Sequence, residues 1–301
     1  MHSRNPLFIF EAEIKSQMPY HYTTADRTAQ HTVNTFRLIR YRFHFRAEGR
    51  VRFPPGQGTN VIRGAFGWLL RESASPVDYA RLFEPRAEGG PSGLADPPRP
   101  FVLRAAHLDG GSFEAGEEFS FDVHAFDVRN PTLELFRAAF EAVADKGLGP
   151  ERGRALVERV EEEAMTLTLD AGTAAERVMV RFVTPTELKG GGAEFAVLFA
   201  RVRDRLSTLR ALYGDGPLEI DFRGMGERAR EVRLVRSELE WERRVRRSSR
   251  TGQVHPIGGF TGSAEYAGVL GEFVPWLEAA RWVGVGRQTV WGKGEIHVSA
   301  V

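Results

Sequence analysis

The chain has 301 residues, 42% hydrophobic and 27% charged, a composition that supplies a folded core and excludes disordered, collagen-like and fibrous proteins. Lysine and arginine total 41 against 40 for aspartate and glutamate, so any nucleic-acid surface must be local. The absence of cysteine removes thiol nucleophiles, disulfides, iron–sulfur clusters and cysteine-based zinc sites.

At roughly 100–150 residues per domain the length favours two domains. Residues 1–34 mix His, Thr, Gln and Asn without a clear period and are expected to form a weakly ordered N-terminal extension. They lack a signal-peptide pattern, and no window approaches the roughly 20 apolar residues of a membrane helix, which points to a cytoplasmic protein. From Phe36 to Ala47, Arg37, Ile39, Tyr41, Phe43 and Phe45 alternate with Leu38, Arg40, Arg42, His44 and Arg46, predicting a strand with one basic face. In VIRGAFGWLLRES, Val61, Ala65, Trp68 and Leu69 keep helical spacing, with Asn60 as the expected cap. The stretch from Ser75 to Pro100 reads as a long loop with one apolar turn at Tyr79 to Phe83.

The runs PFVLRAAHL and EEFSFDVHAF, joined by DGGS, predict a hairpin. Asn130-Pro131 opens a helix with Leu133, Phe136, Phe140 and Val143 on one face and Gly147 as its stop. A strand around Met165 to Leu169 completes the unit. The second half repeats the order: RVMVRFVTP is a strand, AEFAVLFARVRDRLSTLRALYG a helix, PLEIDF and REVRLVRSELEWERRV strands, TGSAEYAGV a strand, GEFVPWLEAARWVG a helix, and the C-terminus a strand. Two such units imply an α+β protein of tandem ferredoxin-like, RNA-recognition-motif-like domains, with 35–172 as the N-terminal and 173–301 as the C-terminal domain.

The sharpest motif is GVGRQTVWGKG, with Gly284, Gly286, Gly292 and Gly294 around Arg287, Gln288, Thr289 and Lys293. Glycine pairs let backbone amides approach an anion closely. The spacing is not that of a dinucleotide fingerprint, and a strand follows where that motif needs a helix. A hairpin with turn glycines is the alternative. Upstream, Arg243, Arg244, Arg246, Arg247 and Arg250 follow Glu242 without another acid, a cluster suited to phosphates through salt-sensitive, sequence-independent contacts. Its alternative is a solvated strand end.

The C-terminal loop, G-x-G, five residues, G-x-G, resembles the hallmark of the RAMP superfamily of CRISPR-associated RNA-binding proteins. RGAFG, YARLFEP, PPRPFVL, KGLG, FVTPTELK and GGFTGSAEYAG are similar to segments of its pre-crRNA processing endoribonuclease branch and cover most of Phe36 to Val298 in order. The resemblance implies two ferredoxin-like domains, CRISPR repeat RNA or pre-crRNA as partner, and metal-independent cleavage. In that chemistry a ribose 2′-hydroxyl attacks the neighbouring phosphate, leaving a cyclic phosphate and a free 5′-hydroxyl. It also implies two rival roles: an RNA-holding subunit without cleavage, and a scaffold associating with CRISPR effector-complex subunits.

Such a reaction needs a base, an acid and donors for the phosphorane charge, and histidine can serve either proton transfer near neutral pH. Many relatives carry histidine where this chain has Trp68, which cannot accept a proton. The candidates are therefore His44, on the basic strand face, and His255, between the arginine run and GGFTG. For His44 the plainer reading is a hydrogen-bonded strand histidine. Trp241, Trp291 and Tyr266 are candidates for stacking on unpaired bases. No histidine pair has ligand spacing with carboxylate support, so neither a metal nor another cofactor is expected. Glu161, Glu162 and Glu163 read as a solvated charge run.

Overall fold

The computed structural model describes residues 33–86, 97–243, 245–247, 254–256 and 258–300. Almost all of the expected N-terminal extension, and Arg244 and Arg250, lie outside them. The first lobe runs β1 (Thr35–Ala47), β2 (Val51–Arg52), α1 (Gly58–Ser73), α2 (Pro76–Phe83), β3 (Phe101–Arg104), β4 (Ser112–Phe113), β5 (Glu118–Ala125), α3 (Leu133–Lys146) and β6 (Ala155–Thr168). The second runs β7 (Arg177–Thr186), α4 (Phe195–Tyr213), α5 (Phe222–Ala229), β8 (Arg233–Glu242), β9 (Val245–Arg247), β10 (Val254–Pro256), β11 (Gly259–Ala267), α6 (Val274–Val283) and β12 (Ile296–Ala300).

Each lobe carries a four-stranded sheet, ordered β3-β5-β1-β6 in the first and β12-β7-β11-β8 in the second. In both, the unit's first and third long strands lie side by side at the centre, and every pairing is antiparallel. This is the split βαβ arrangement of ferredoxin-like domains. The sequence-based boundary at 172–173 falls in the connection between β6 and β7.

Period-two burial builds the first core. Tyr41, Phe43 and Phe45 are wholly buried and meet Phe66 of α1 and Phe136 and Phe140 of α3 through a network of ring contacts. Burying a side chain of this size contributes about 1.5–3 kcal/mol. Phe36, Leu38, Val102 and Phe126 belong instead to the other core, with Leu206 and Leu209 of α4 and Trp276 and Leu277 of α6. The first sheet is thus covered by its own helices on one face and, at one end of the other face, by the second lobe.

Several local expectations are corrected. α1 starts at Gly58, whose amide donates to Asp109 Oδ1 at 2.6 Å, so Asn60 lies inside the helix. The apolar turn at Tyr79 is α2, with Pro76 in its first turn and the Ser75 hydroxyl accepting from the Asp78 amide at 3.1 Å. PLEIDF forms no strand; Asp221 accepts from the Gly224 amide at 2.8 Å and caps α5. The strand expected around Met165 begins ten residues earlier, at Ala155, and contains the glutamate run.

Candidate functional site

The glycine-rich loop leaves α6 at Gly284 and enters β12 after Gly294. It packs against its own chain. Gly286 has φ +83°, and a Cβ there would stand 2.5 Å from Glu187 O; at Gly292 a Cβ would stand 2.5 Å from Thr59 Cβ. The Arg287 amide donates to Glu187 O at 3.0 Å, that of Val285 to Gly294 O at 2.9 Å, and that of Gly294 to Pro185 O at 3.2 Å. These amides therefore bind carbonyls of the protein where an anion cradle was expected.

The loop's side chains are sorted in the same way. Lys293 is 3% exposed, and its ammonium donates to Gly258 O at 2.5 Å and Gln288 Oε1 at 3.1 Å, with Glu187 Oε2 3.6 Å away. Burial pulls its pKa below the ordinary lysine value, with Glu187 opposing. Thr289 is buried as well, which corrects the expectation that these two side chains face a ligand. Arg287 is exposed and pairs with Glu187 at 2.9 Å. Trp291 lies 3.1 Å under the Arg63 guanidinium. Tyr266 is wholly buried, its hydroxyl donating to Ala193 O at 2.7 Å, so it cannot stack on a base.

The arginine run enters a two-stranded ribbon. β9 pairs antiparallel with β10, setting Arg246 opposite His255 and Arg247 opposite Val254. The side chains of these ribbon residues lie outside the description. Arg243, just before the ribbon, is exposed, and Trp241 on edge strand β8 is 60% exposed. Aromatic and cation thus stand open together at the root of the ribbon.

His44 lies on the outer face of the first sheet, in register between Ser120 of β5 and Arg159 of β6. Its Nε2 is 3.0 Å from Glu161 Oε1, and Arg159 Nη2 is 3.2 Å from Nδ1. The basic face expected on β1 is neutralised. Arg40 pairs with Asp122 at 2.9 Å and Glu163 at 3.0 Å, Arg42 with Asp122 at 2.7 Å, and Arg46 with Glu118 at 2.7 Å. Two arginines against its oxygens hold the Asp122 carboxyl below the usual carboxylate range although burial opposes them. Cross-strand opposite-charge pairs of this kind stabilise sheets; Glu161, Glu162 and Glu163 are exposed, as a solvated run should be, and Glu161 and Glu163 also take part in these pairs.

A cluster the sequence did not single out fixes the start of the loop. Arg104 Nη2 donates to Arg281 O at 3.0 Å, His124 Nδ1 to Trp282 O at 2.9 Å, and Arg205 Nε to Val283 O at 2.8 Å. Three donors from three elements thus satisfy the last carbonyls of α6, where the helix dipole is negative. Burial lowers the His124 pKa to about 3, helped by Arg104, and that of Arg205 to about 9. His124 is therefore neutral near pH 7.

Comparison with known proteins gives a match in each lobe. Residues 180–296 match the model of the CRISPR-associated endoribonuclease Cas6, and residues 36–179 match a model described as an N-terminal domain. The second lobe is thus similar to the Cas6 endoribonuclease family over 180–296. No curated protein matches it. A Cas6 product complex is 18% identical with TM-score 0.56 over 87% of this chain and 100% of that one. Thermus thermophilus Cas6 is 16% identical with TM-score 0.54 over 88% and 99%. A chain of a partial Cas6-RT-Cas1–Cas2 complex is 11% identical with TM-score 0.58 over 89% and 47%. At these identities the likeness is one of fold.

The loop borders a small cavity of about 30 Å³, lined by Thr59, Asn60, Asp109, Trp291 and Lys293 among others. Asn60 also lines a larger cavity of about 390 Å³ between α1 and α3. Among the described residues no three His, Cys, Asp or Glu gather where they could hold a metal ion, and no helix is long and apolar enough to cross a membrane.

Proposed function

We propose that the chain binds CRISPR repeat RNA and cuts pre-crRNA by 2′-hydroxyl attack without a metal. The observation that carries this reading is the Cas6 endoribonuclease match over residues 180–296, which form a lobe with ferredoxin-like strand order. Repeat RNA enters along the ribbon, where Arg243, Arg244, Arg246, Arg247 and Arg250 neutralise phosphates and Trp241 stacks on an unpaired base. Gly284, Gly286, Gln288, Thr289, Gly292, Lys293 and Gly294 give the loop its shape, and Arg287 is its exposed cation.

The chemistry divides between His44 and His255. One imidazole takes the 2′-hydroxyl proton as the oxygen attacks phosphorus; the bond to the 5′-oxygen breaks, and the other group protonates that oxygen. For His44 the support is local: a carboxylate beside Nε2 and a guanidinium against the ring set a proton carrier next to a charge that can steady a phosphorane. The partners of the reading are repeat RNA and subunits of a CRISPR effector complex, the compartment is the cytoplasm, and the domains are 35–172 and 173–301.

The test is incubation with the cognate repeat RNA in EDTA beside a substrate carrying one 2′-deoxy sugar at the cut. Cleavage of the first alone, lost in His44→Ala or His255→Ala while binding persists, is the expected result. Tight binding with both RNAs intact would overturn cleavage and leave an RNA-holding subunit.

A further inference from the structure

The larger cavity lies outside the ribbon and the glycine-rich loop. It is lined by Asn60, Trp68, Val143, Lys146, Gly149 and Arg152 among others, from the outward side of α1, the end of α3 and the loop that follows. Its volume of about 390 Å³ falls within the roughly 300–1,000 Å³ of small-ligand sites. Trp68 is 52% exposed there, although the Lys146 ammonium stands 4.3 Å over its ring. An indole left half open in a concave site is unlike the singly scattered apolar residues of an ordinary surface.

The charges around it are cationic. Lys146 pairs with Glu72 at 3.1 Å at the exposed margin, a bond of small net value in water. Arg152 is exposed, and no ion pair is formed by its side chain among the described residues. It also holds φ +50°, one of two non-glycine residues at positive φ among the described residues; the other is Gln288 in the glycine-rich loop. A side-chain-bearing residue in that conformation is strained, and such residues cluster at ligand clamps and active sites. A half-exposed indole capped by a lysine that can swing from the ring to a phosphate, with Arg152 beside it, is the complement of a stacked base and its phosphates.

We infer that this groove is a second RNA-binding subsite, in which an unpaired nucleobase stacks on Trp68 while Lys146 and Arg152 meet the adjoining phosphates. The proposal rests on the reading of the chain as an RNA-binding protein and adds a site remote from the ribbon. Asn60, shared by the two cavities, is the wall across which the strand passes from the glycine-rich loop to the groove.

The experiment is fluorescence anisotropy with a labelled single-stranded repeat RNA and with the ribbon arginines intact. Trp68→Ala is expected to weaken binding roughly tenfold, Trp68→Tyr to restore most of it, and Trp68→Leu to behave as alanine, since stacking needs a π-face. Arg152→Gln, which leaves the indole untouched, is expected to lower the salt slope by about one. If the wild-type chain binds this RNA and both Trp68→Ala and Arg152→Gln bind it equally well, the groove is no RNA subsite and the functional reading stands. A change in self-association in Trp68→Ala with unchanged RNA affinity would make the groove a protein contact and overturn the proposal. Failure of the wild-type chain to bind any repeat RNA would overturn the functional reading and this inference with it.

Discussion

Two of the chain's glycine-punctuated loops turn their cations in opposite directions. In 284–294 the cation Lys293 is turned into the protein against Gly258 O, Gln288 and Glu187, and Arg287 is held by Glu187. In 147–153 the cation Arg152 stands in solvent beside an open indole. Both loops hold a non-glycine residue at positive φ. Glycine density therefore marks where backbone must approach backbone, and the partners of the charged side chains decide which loop is free to meet a ligand.

The inner loop breaks most easily. Gly286→Asp puts a Cβ 2.5 Å from Glu187 O at φ +83°, so the loop must move, at a cost of about 3 kcal/mol or more. Urea denaturation should show it, and an unchanged midpoint would sink the claim that this glycine is steric. A loss of RNA affinity in that variant would consequently report unfolding of the loop and not an added charge beside phosphate.

Acid attacks the anchor of the same loop. The folded His124 pKa of about 3 lies below its ordinary value of 6.5, so the unfolded chain binds the extra proton between those values. Stability from this group is complete above pH 6.5 and falls as pH drops, by about 3 kcal/mol at pH 4. His124→Asn, which keeps an amide donor for Trp282 O, should flatten that slope relative to wild type. Parallel pH profiles for the two proteins would refute the assignment.

Lys293→Met tests the inward cation directly. It removes the donor to Gly258 O and Gln288 Oε1 and takes one cation from Glu187, at an expected cost of about 2 kcal/mol. Thermal unfolding measures it. If the chain loses RNA affinity with no loss of stability, Lys293 meets RNA and the comparison between the loops fails.

What the sequence discloses follows the same division between local and distant causes. The first helix-and-strand unit is legible because Phe43, Phe136 and Phe140 keep their periods, but the buried face of α1 is Ile62, Phe66, Leu69 and Leu70 where the spacing pointed to Val61, Ala65, Trp68 and Leu69. β6 is missed over most of its length because the charged stretch ERVEEE at its centre breaks the apolar alternation; its glutamates find their partners in Arg40 and His44 on β1. α2 and α5 carry their signals in Ser75-Pro76 and Asp221, which turn chemistry could have recovered from PLEIDF and SPVDYARLF. The direction of Lys293 is invisible in one dimension, since Glu187 and Gly258 come from other elements. For His44 the residue is legible and its Glu161 and Arg159 partners are not.

The smallest effect separates stability from binding at the outer loop. Arg152 holds φ +50°, a conformation that glycine adopts without penalty, so Arg152→Gly should relieve strain. Greater freedom in the unfolded chain works against that gain, which leaves a net stabilisation of about 0.5–1 kcal/mol or less. The same change removes the cation facing the groove, so the variant should be slightly harder to unfold and slightly weaker for single-stranded RNA. A more stable chain with undiminished affinity would mean that the strained backbone at 152 serves the turn alone. Loss of stability would mean that the arginine side chain supports the fold, and the two loops would then be alike.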